Sequence, residues 1–187
     1  MTDRLPHGRR SDARDNRGLI VDAARAMFLT DGPAAPIREI ARRAQVAPAT
    51  VYRHFPTKET LAAEVFTEQT RLWWSIVDSG IADPDPWRGF CLAIEKLYAR
   101  QALDREFTTA FKSEFPHAVD FAAMRARSLT SAAELLRRVK ATGRLRPEVA
   151  VDDLVLMLTA VDGFAGRVAA AQRFARFVIH GFAQPPA

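Results

Sequence analysis

The sequence predicts an all-α chain, with an N-terminal three-helix head followed by a helical body and about nine helices in all. Apolar residues recur at intervals of three and four through most of the chain, the spacing that lines one helix face, and no segment sustains strand-like alternation between turn residues. Within Pro36 to Lys58, PIREIARRAQVAPATVYRHFPTK, one apolar set (Ile37, Ile40, Ala41, Ala44) gives way after Gln45 to a second (Val46, Val51, Phe55). Two short helices therefore meet there. Breaker clusters at Asp31-Gly32-Pro33 and Asp78–Pro86 divide the remainder.

Residues 1–11 are polar and basic and read as a disordered arm. Ile20, Ala23, Ala24, Met27 and Phe28 form one stripe, predicting a first helix from about Ser11 to Thr30. The two motif helices complete a head over residues 12–56. Small Ala41 and β-branched Val51 are residue types that let helices cross closely in a helix-turn-helix. Thr57 is a suitable N-cap for a linking helix over 57–80, with Leu61, Val65, Phe66, Leu72, Trp73 and Ile76 as its apolar positions. Body helices are expected at about Trp87–Gln101, Asp104–Ser113, Ala118–Thr142, Val151–Phe164 and Arg167–Phe182. Their separators are Ala102-Leu103, Phe115-Pro116, Gly143 to Pro147 and the Gly163/Gly166 pair.

A hydrophobic fraction of 48% over 187 residues excludes a largely disordered chain. Residues 1–60 carry 11 Lys and Arg against 7 Asp and Glu, hence +4, while 61–187 carry 16 against 15, hence +1. A basic head on a nearly neutral body suits a polyanion-binding module joined to one that binds something else, or only a solvated basic surface. Cys91 is the single cysteine, so no disulfide framework or cysteine zinc site forms within the chain. The N-terminus lacks the apolar core of a signal peptide, and no run approaches the ~18 apolar residues of a membrane span. A cytoplasmic location without membrane contact is expected. His7, His54, His117 and His180 fit no catalytic or metal constellation, and no Gly-rich phosphate loop is present. Neither enzymatic activity, metal nor cofactor is expected.

The motifs AMFLTDG, IREIARRA, VAPATVYRHF and PTKETL together resemble the TetR-like transcriptional regulators over residues 14–80. The specific feature is Tyr52 two residues before the His54-Phe55 pair, with Lys58 three residues further on. Residues 81–187 match the family only in length and helical character. The resemblance implies a shared DNA-binding head and a divergent effector-binding, dimer-forming body. Two features depart from the family pattern: Gln45 replaces the usual turn glycine, and Ala35-Pro36 and Ala47-Pro48 stand where a Ser or Thr cap is common.

In such a head the second motif helix enters the major groove. Pro48, Ala49, Thr50 and Arg53 are then placed to read base edges. Arg53 has two readings, a bidentate pair to guanine or neutralisation of a phosphate. Tyr52, His54 and Lys58 match the family's backbone-clamping positions. Their structural alternatives are a packed hinge for Tyr52 and an ordinary surface histidine for His54. Arg38 is the cation of the first motif helix expected to reach DNA, with Arg42 and Arg43 solvated and Arg9-Arg10 in a mobile tail.

In the body, Trp73, Trp87, Phe90, Ile94, Phe107, Phe111, Phe115, Met124 and Met157 form an aromatic-rich set that reads mostly as core. If the implied effector cavity exists, they supply its walls, with Cys91, His117 or Asp162 as polar contacts. Leu154, Leu158, Val161, Phe164, Val168, Phe174, Phe177, Val178 and Phe182 make the last helices apolar over more than one face. Two copies packing as a four-helix interface, with Gly163 and Gly166 permitting close approach, would cover the surplus. A two-fold dimer sets its recognition helices one DNA turn, ~34 Å, apart, so palindromic double-stranded DNA is the expected target. The reading is a homodimeric repressor released by a small-molecule effector. The alternative is a helical protein–protein adaptor that has lost operator binding.

Overall fold

The computed structural model describes the backbone of residues 7–185, with side chains for 16–160 and 163–185. Eight α-helices run in order: α1 His7–Asp31, α2 Ile37–Arg43, α3 Pro48–His54, α4 Lys58–Ala82, α5 Pro86–Glu114, α6 Phe121–Lys140, α7 Val151–Thr159 and α8 Val168–Phe182. A 3-10 turn, Ala160–Phe164, follows α7. The chain divides into two compact units: residues up to Glu68 with Phe107–Val119, and Gln69–Glu106 with Asp120–Ala187. The helix α1 begins earlier than Ser11, and residues 1–6 of the expected arm lie outside the described residues.

In the first unit α1, α2 and α3 pack on one another. Ile20, Ala24 and Phe28 of α1, Ile40 and Ala41 of α2, and Val51 of α3 are all buried. The α1 helix stops as predicted, since Gly32 takes φ +71° and the Ala35 N–H donates to its carbonyl at 3.2 Å. Thr57 caps α4 reciprocally: its hydroxyl accepts from the Thr60 N–H at 3.1 Å, and its own N–H donates to Thr60 Oγ1 at 3.2 Å. Arg17 pairs with Glu64 at 2.9 Å and lies over the Phe55 ring, while Arg25 pairs with Glu68, tying α1 to the start of α4.

The predicted break at Ala102-Leu103 does not exist, because α5 is continuous from Pro86 to Glu114. Asp104, expected at a helix start, sits mid-helix and buried. One of its carboxylate oxygens pairs with Arg100 one turn back, and the other accepts from Gln69 Nε2 at 3.2 Å. Its charge is neutralised within the fold, so Asp104 does not compete for the backbone, and Ala102 and Leu103 are good helix formers. The C-terminal end of this helix belongs to the first unit. Phe107 stacks on Phe28 with centroids 5.6 Å apart, and Phe111 stacks on Phe66 at 4.5 Å.

The second unit packs the rest of α4 and α5 with α6, α7 and α8 around Phe90, Ile94, Tyr98, Leu135, Val139, Ala171 and Ala175. The α4 and α5 helices approach through a glycine pair. A Cβ on Gly89 would fall inside the Gly80 carbonyl oxygen, and one on Gly80 would lie 2.9 Å from the Gly89 oxygen and 3.0 Å from Ala93 Cβ. Asp120, rather than Ala118, starts α6, its carboxylate accepting from the Ala123 N–H at 2.9 Å. After α8 the chain pins the 144–146 loop: Arg146 N–H donates to Phe182 O at 2.9 Å and Gln184 N–H to Arg144 O at 2.8 Å. The resulting Leu145–Ala183 bridge is the sole β pairing among the described residues.

Candidate functional site

The turn between α2 and α3 orients the surface that sequence reading singled out. The α2 helix ends in a Schellman arrangement, with the Val46 N–H donating to Ala41 O at 3.0 Å and the Gln45 N–H to Arg42 O at 3.2 Å. This requires a left-handed residue, and Gln45 adopts φ +57°. The missing glycine is thus a real conformational cost. Gln45→Gly is expected to raise stability by about 0.5–1 kcal/mol, the left-handed penalty less the entropy glycine gains when unfolded, read by thermal denaturation. A loss of stability would mean that the Gln45 side chain contributes more than its backbone costs.

Neither motif helix has a side-chain cap, as the Ala-Pro starts imply. Pro36 is itself the N-cap of α2, whereas in α3 Ala47 is the N-cap and Pro48 the first helical residue. Val51 is fully buried, which turns the opposite side of α3 outward: Pro48, Ala49, Tyr52 and Arg53 are exposed and Thr50 is half-buried. Tyr52 is 53% exposed, so the packed-hinge alternative does not describe it. Arg38 is exposed on α2, and Lys58 is half-buried at the start of α4. Arg42 is engaged with Glu39, and their hydrogen bond holds that carboxyl below its ordinary range. His54 differs from its neighbours. Its Nε2 is covered and unpartnered among the described residues, and its ring tilts against Phe55.

Residues 20–65, spanning the buried face of α1 through Val65 of α4, match the sequence model of the bacterial regulatory proteins of the tetR family. Over those residues the head matches the TetR family in sequence. A TetR transcription regulatory protein from Mycobacterium vanbaalenii has the same fold with a TM-score of 0.74 at 26% identity, covering 94% of this chain and 99% of that one. A TetR transcriptional regulator from Streptomyces coelicolor reaches 0.74 at 21% identity, covering 91% and 99%. A fatty acid degradation regulator from Bacillus halodurans reaches 0.67 at 18% identity, covering 96% and 95%. No curated protein matches the chain in sequence.

The body of the chain holds a cavity of about 180 Å³. Its wall comprises Trp73, Trp74 and Val77 from α4, Ile94 and Leu97 from α5, Ser128, Leu129, Ser131, Ala132 and Leu135 from α6, and Leu154, Val155 and Leu158 from α7. Of the residues proposed as effector walls, Trp73 and Ile94 are there. Phe107 and Phe111 are not: they are buried head core, because α5 runs on past the predicted break. His117 is exposed in the same unit as those two phenylalanines. Phe90 is body core, and Trp87, Cys91 and Met157 pack against that core. Met124 is half-buried on α6 and outside the wall, while the Asp162 and Val161 side chains lie outside the described residues. Burial pushes the Cys91 thiol up to about 11, so it stays protonated at neutral pH and is a poor nucleophile.

The dimer set also divides. Leu154 and Val178 are buried in the chain's own core, and Leu154 and Leu158 line the cavity instead. Phe164 and Phe174 are half-buried and pair at 5.4 Å. Phe177 is 68% exposed and Leu156, which sequence reading passed over, is 65% exposed. The run VDDLVLMLT is apolar on nearly all sides of α7, and only packing separates its inner residues from its outer ones. A Cβ built on Gly163 or Gly166 meets nothing within 4 Å among the described residues. Gly166 serves a turn, with φ +68° and its N–H donated to Ala102 O at 2.8 Å.

Proposed function

We propose that the chain is a homodimeric repressor that holds a palindromic operator through α3 in the cytoplasm and is released when a small molecule occupies the body cavity; it is not an enzyme. The observation that carries this reading is the division of α3. Val51 anchors one side in the head core, while Tyr52 and Arg53 stand free beside small, close-approaching Pro48 and Ala49. Arg38, Thr50 and Lys58 extend that surface, and His54 joins it only if its ring turns outward. The exposed Leu156 and Phe177 of α7 and α8 support pairing of two copies there.

Release has a physical route. The α4 helix contributes Leu61 and Val65 to the head core and Trp73, Trp74 and Val77 to the cavity wall; α5 contributes Phe107 and Phe111 to the former and Ile94 and Leu97 to the latter. A ligand that binds one arrangement of these helices better than another shifts the head, and one that binds both equally does nothing.

The test is a mobility shift on DNA flanking the coding region. Lys58→Ala and Tyr52→Ala are each expected to weaken binding about tenfold and uniformly across sequences, with Lys58→Ala lowering the salt slope by about 1. Indifference to both substitutions would favour the adaptor reading. Binding without sequence preference would count against a specific operator.

A further inference from the structure

Resting on the cavity as the effector site, we infer that its ligand is a neutral molecule of about one ring, apolar over its body and carrying one oxygen that meets the Ser131 hydroxyl. Size comes first. A dry apolar cavity of roughly 150 Å³ accepts benzene, and the space here, about 180 Å³ and partly open to solvent, holds one ring with its substituents. Charge comes next: among the described residues no Asp, Glu, Lys, Arg or His lines the wall. An ionised ligand would surrender its hydration to side chains that return neither an opposite charge nor enough hydrogen bonds.

The few polar groups then decide what the ligand carries. Trp74 Nε1–H donates to Ser128 Oγ at 3.0 Å, and the Ser128 hydroxyl donates onward to Met124 O at 3.0 Å, so both of those protons are committed. The Arg127 guanidinium covers the Trp74 ring at 3.8 Å and holds this side of the wall in place. Ser131 is different. It lines the cavity, and its hydroxyl has no hydrogen bond among the described residues, not even to the carbonyl one turn back that helical serines commonly use. A wall whose unbonded hydroxyl can both donate and accept, with no carboxylate beside it among the described residues, suits an oxygen rather than an ammonium group.

Four probes share a methyl-substituted benzene ring and differ at the para position: p-cresol, toluene, 4-methylbenzoate and 4-methylbenzylammonium, each titrated into the full-length chain without DNA. Tryptophan fluorescence reports directly, since two wall residues are tryptophans. At neutral pH, p-cresol is expected to bind about fivefold more tightly than toluene, as one added hydrogen bond predicts. Both ions are expected to bind at least ~100-fold more weakly than p-cresol. Ser131→Ala should leave toluene binding unchanged and bring p-cresol down to the toluene level. Ala132→Phe, which fills the space, should abolish the saturable response to every probe while the chain still unfolds cooperatively. Binding of either ion as tight as p-cresol, an unchanged p-cresol-to-toluene ratio in Ser131→Ala, or no saturable binding of any probe would overturn the assignment. A separate mobility shift isolates the regulatory reading. If p-cresol binds as described but leaves a specific DNA complex intact, release by this ligand class fails while the cavity chemistry stands.

Discussion

Phe111→Ala is expected to remove about 4 kcal/mol of stability from the head, although residue 111 lies far along the sequence from the helix-turn-helix motif. The ring is fully buried, stacked on Phe66 at 4.5 Å and tilted against Phe107 at 5.8 Å and Phe115 at 5.7 Å. Truncation forfeits the transfer energy of a whole aromatic side chain and leaves a void that surrounding rings cannot collapse into without losing their own stacking. The measurement is native-state hydrogen exchange on the amides of α1 to α3, with urea denaturation alongside. Phe177→Ala is the control, because that ring is 68% exposed and its loss should cost within about 0.5 kcal/mol in a monomer. Equal losses for both variants would contradict the assignment of the end of α5 to the head.

Gly89→Ala carries the second large effect, expected at about 3 kcal/mol, or roughly 6–12 °C in the melting temperature of a chain this long. The added methyl would enter the Gly80 carbonyl and approach Asp83 Cβ at 2.8 Å. Backbone atoms cannot swing aside as the end of a flexible side chain can, so the two helices must separate or α5 must unwind at its start. Gly163→Ala makes the contrast. A Cβ there meets nothing within 4 Å, so the change should be neutral or slightly stabilising in the single chain. A Gly89→Ala variant that melts with the parent would refute the close approach.

These cases mark the boundary of what the sequence makes legible. The head's local features were readable because each depends on neighbours within a few residues: the stop at Gly32, the reciprocal cap of Thr57 and Thr60, and the left-handed turn forced on Gln45. The exposed side of α3 was readable for the same reason, since anchoring Val51 fixes which residues turn away from it. His54 was not, because a histidine's exposure depends on what lies above the ring.

The body resisted in a particular way. Asp104 has a partner one turn back in Arg100, but only Gln69, arriving from α4, completes its pairing within a helix. Phe107 and Phe111 have the same spacing whichever core they enter. Glycines at 80 and 89 look no different from those at 163 and 166 until the opposing backbone is present.

The sequence by itself determined that the chain is helical, where the helix-turn-helix lies and which family that head resembles, because periodicity, caps and turns act over one or two helical turns. Only the tertiary structure decided which aromatic residues complete the head, which leucines wall the cavity and which hydroxyl there remains unbonded. Those assignments depend on which faces meet, and residues far apart in the chain carry no local record of their partners.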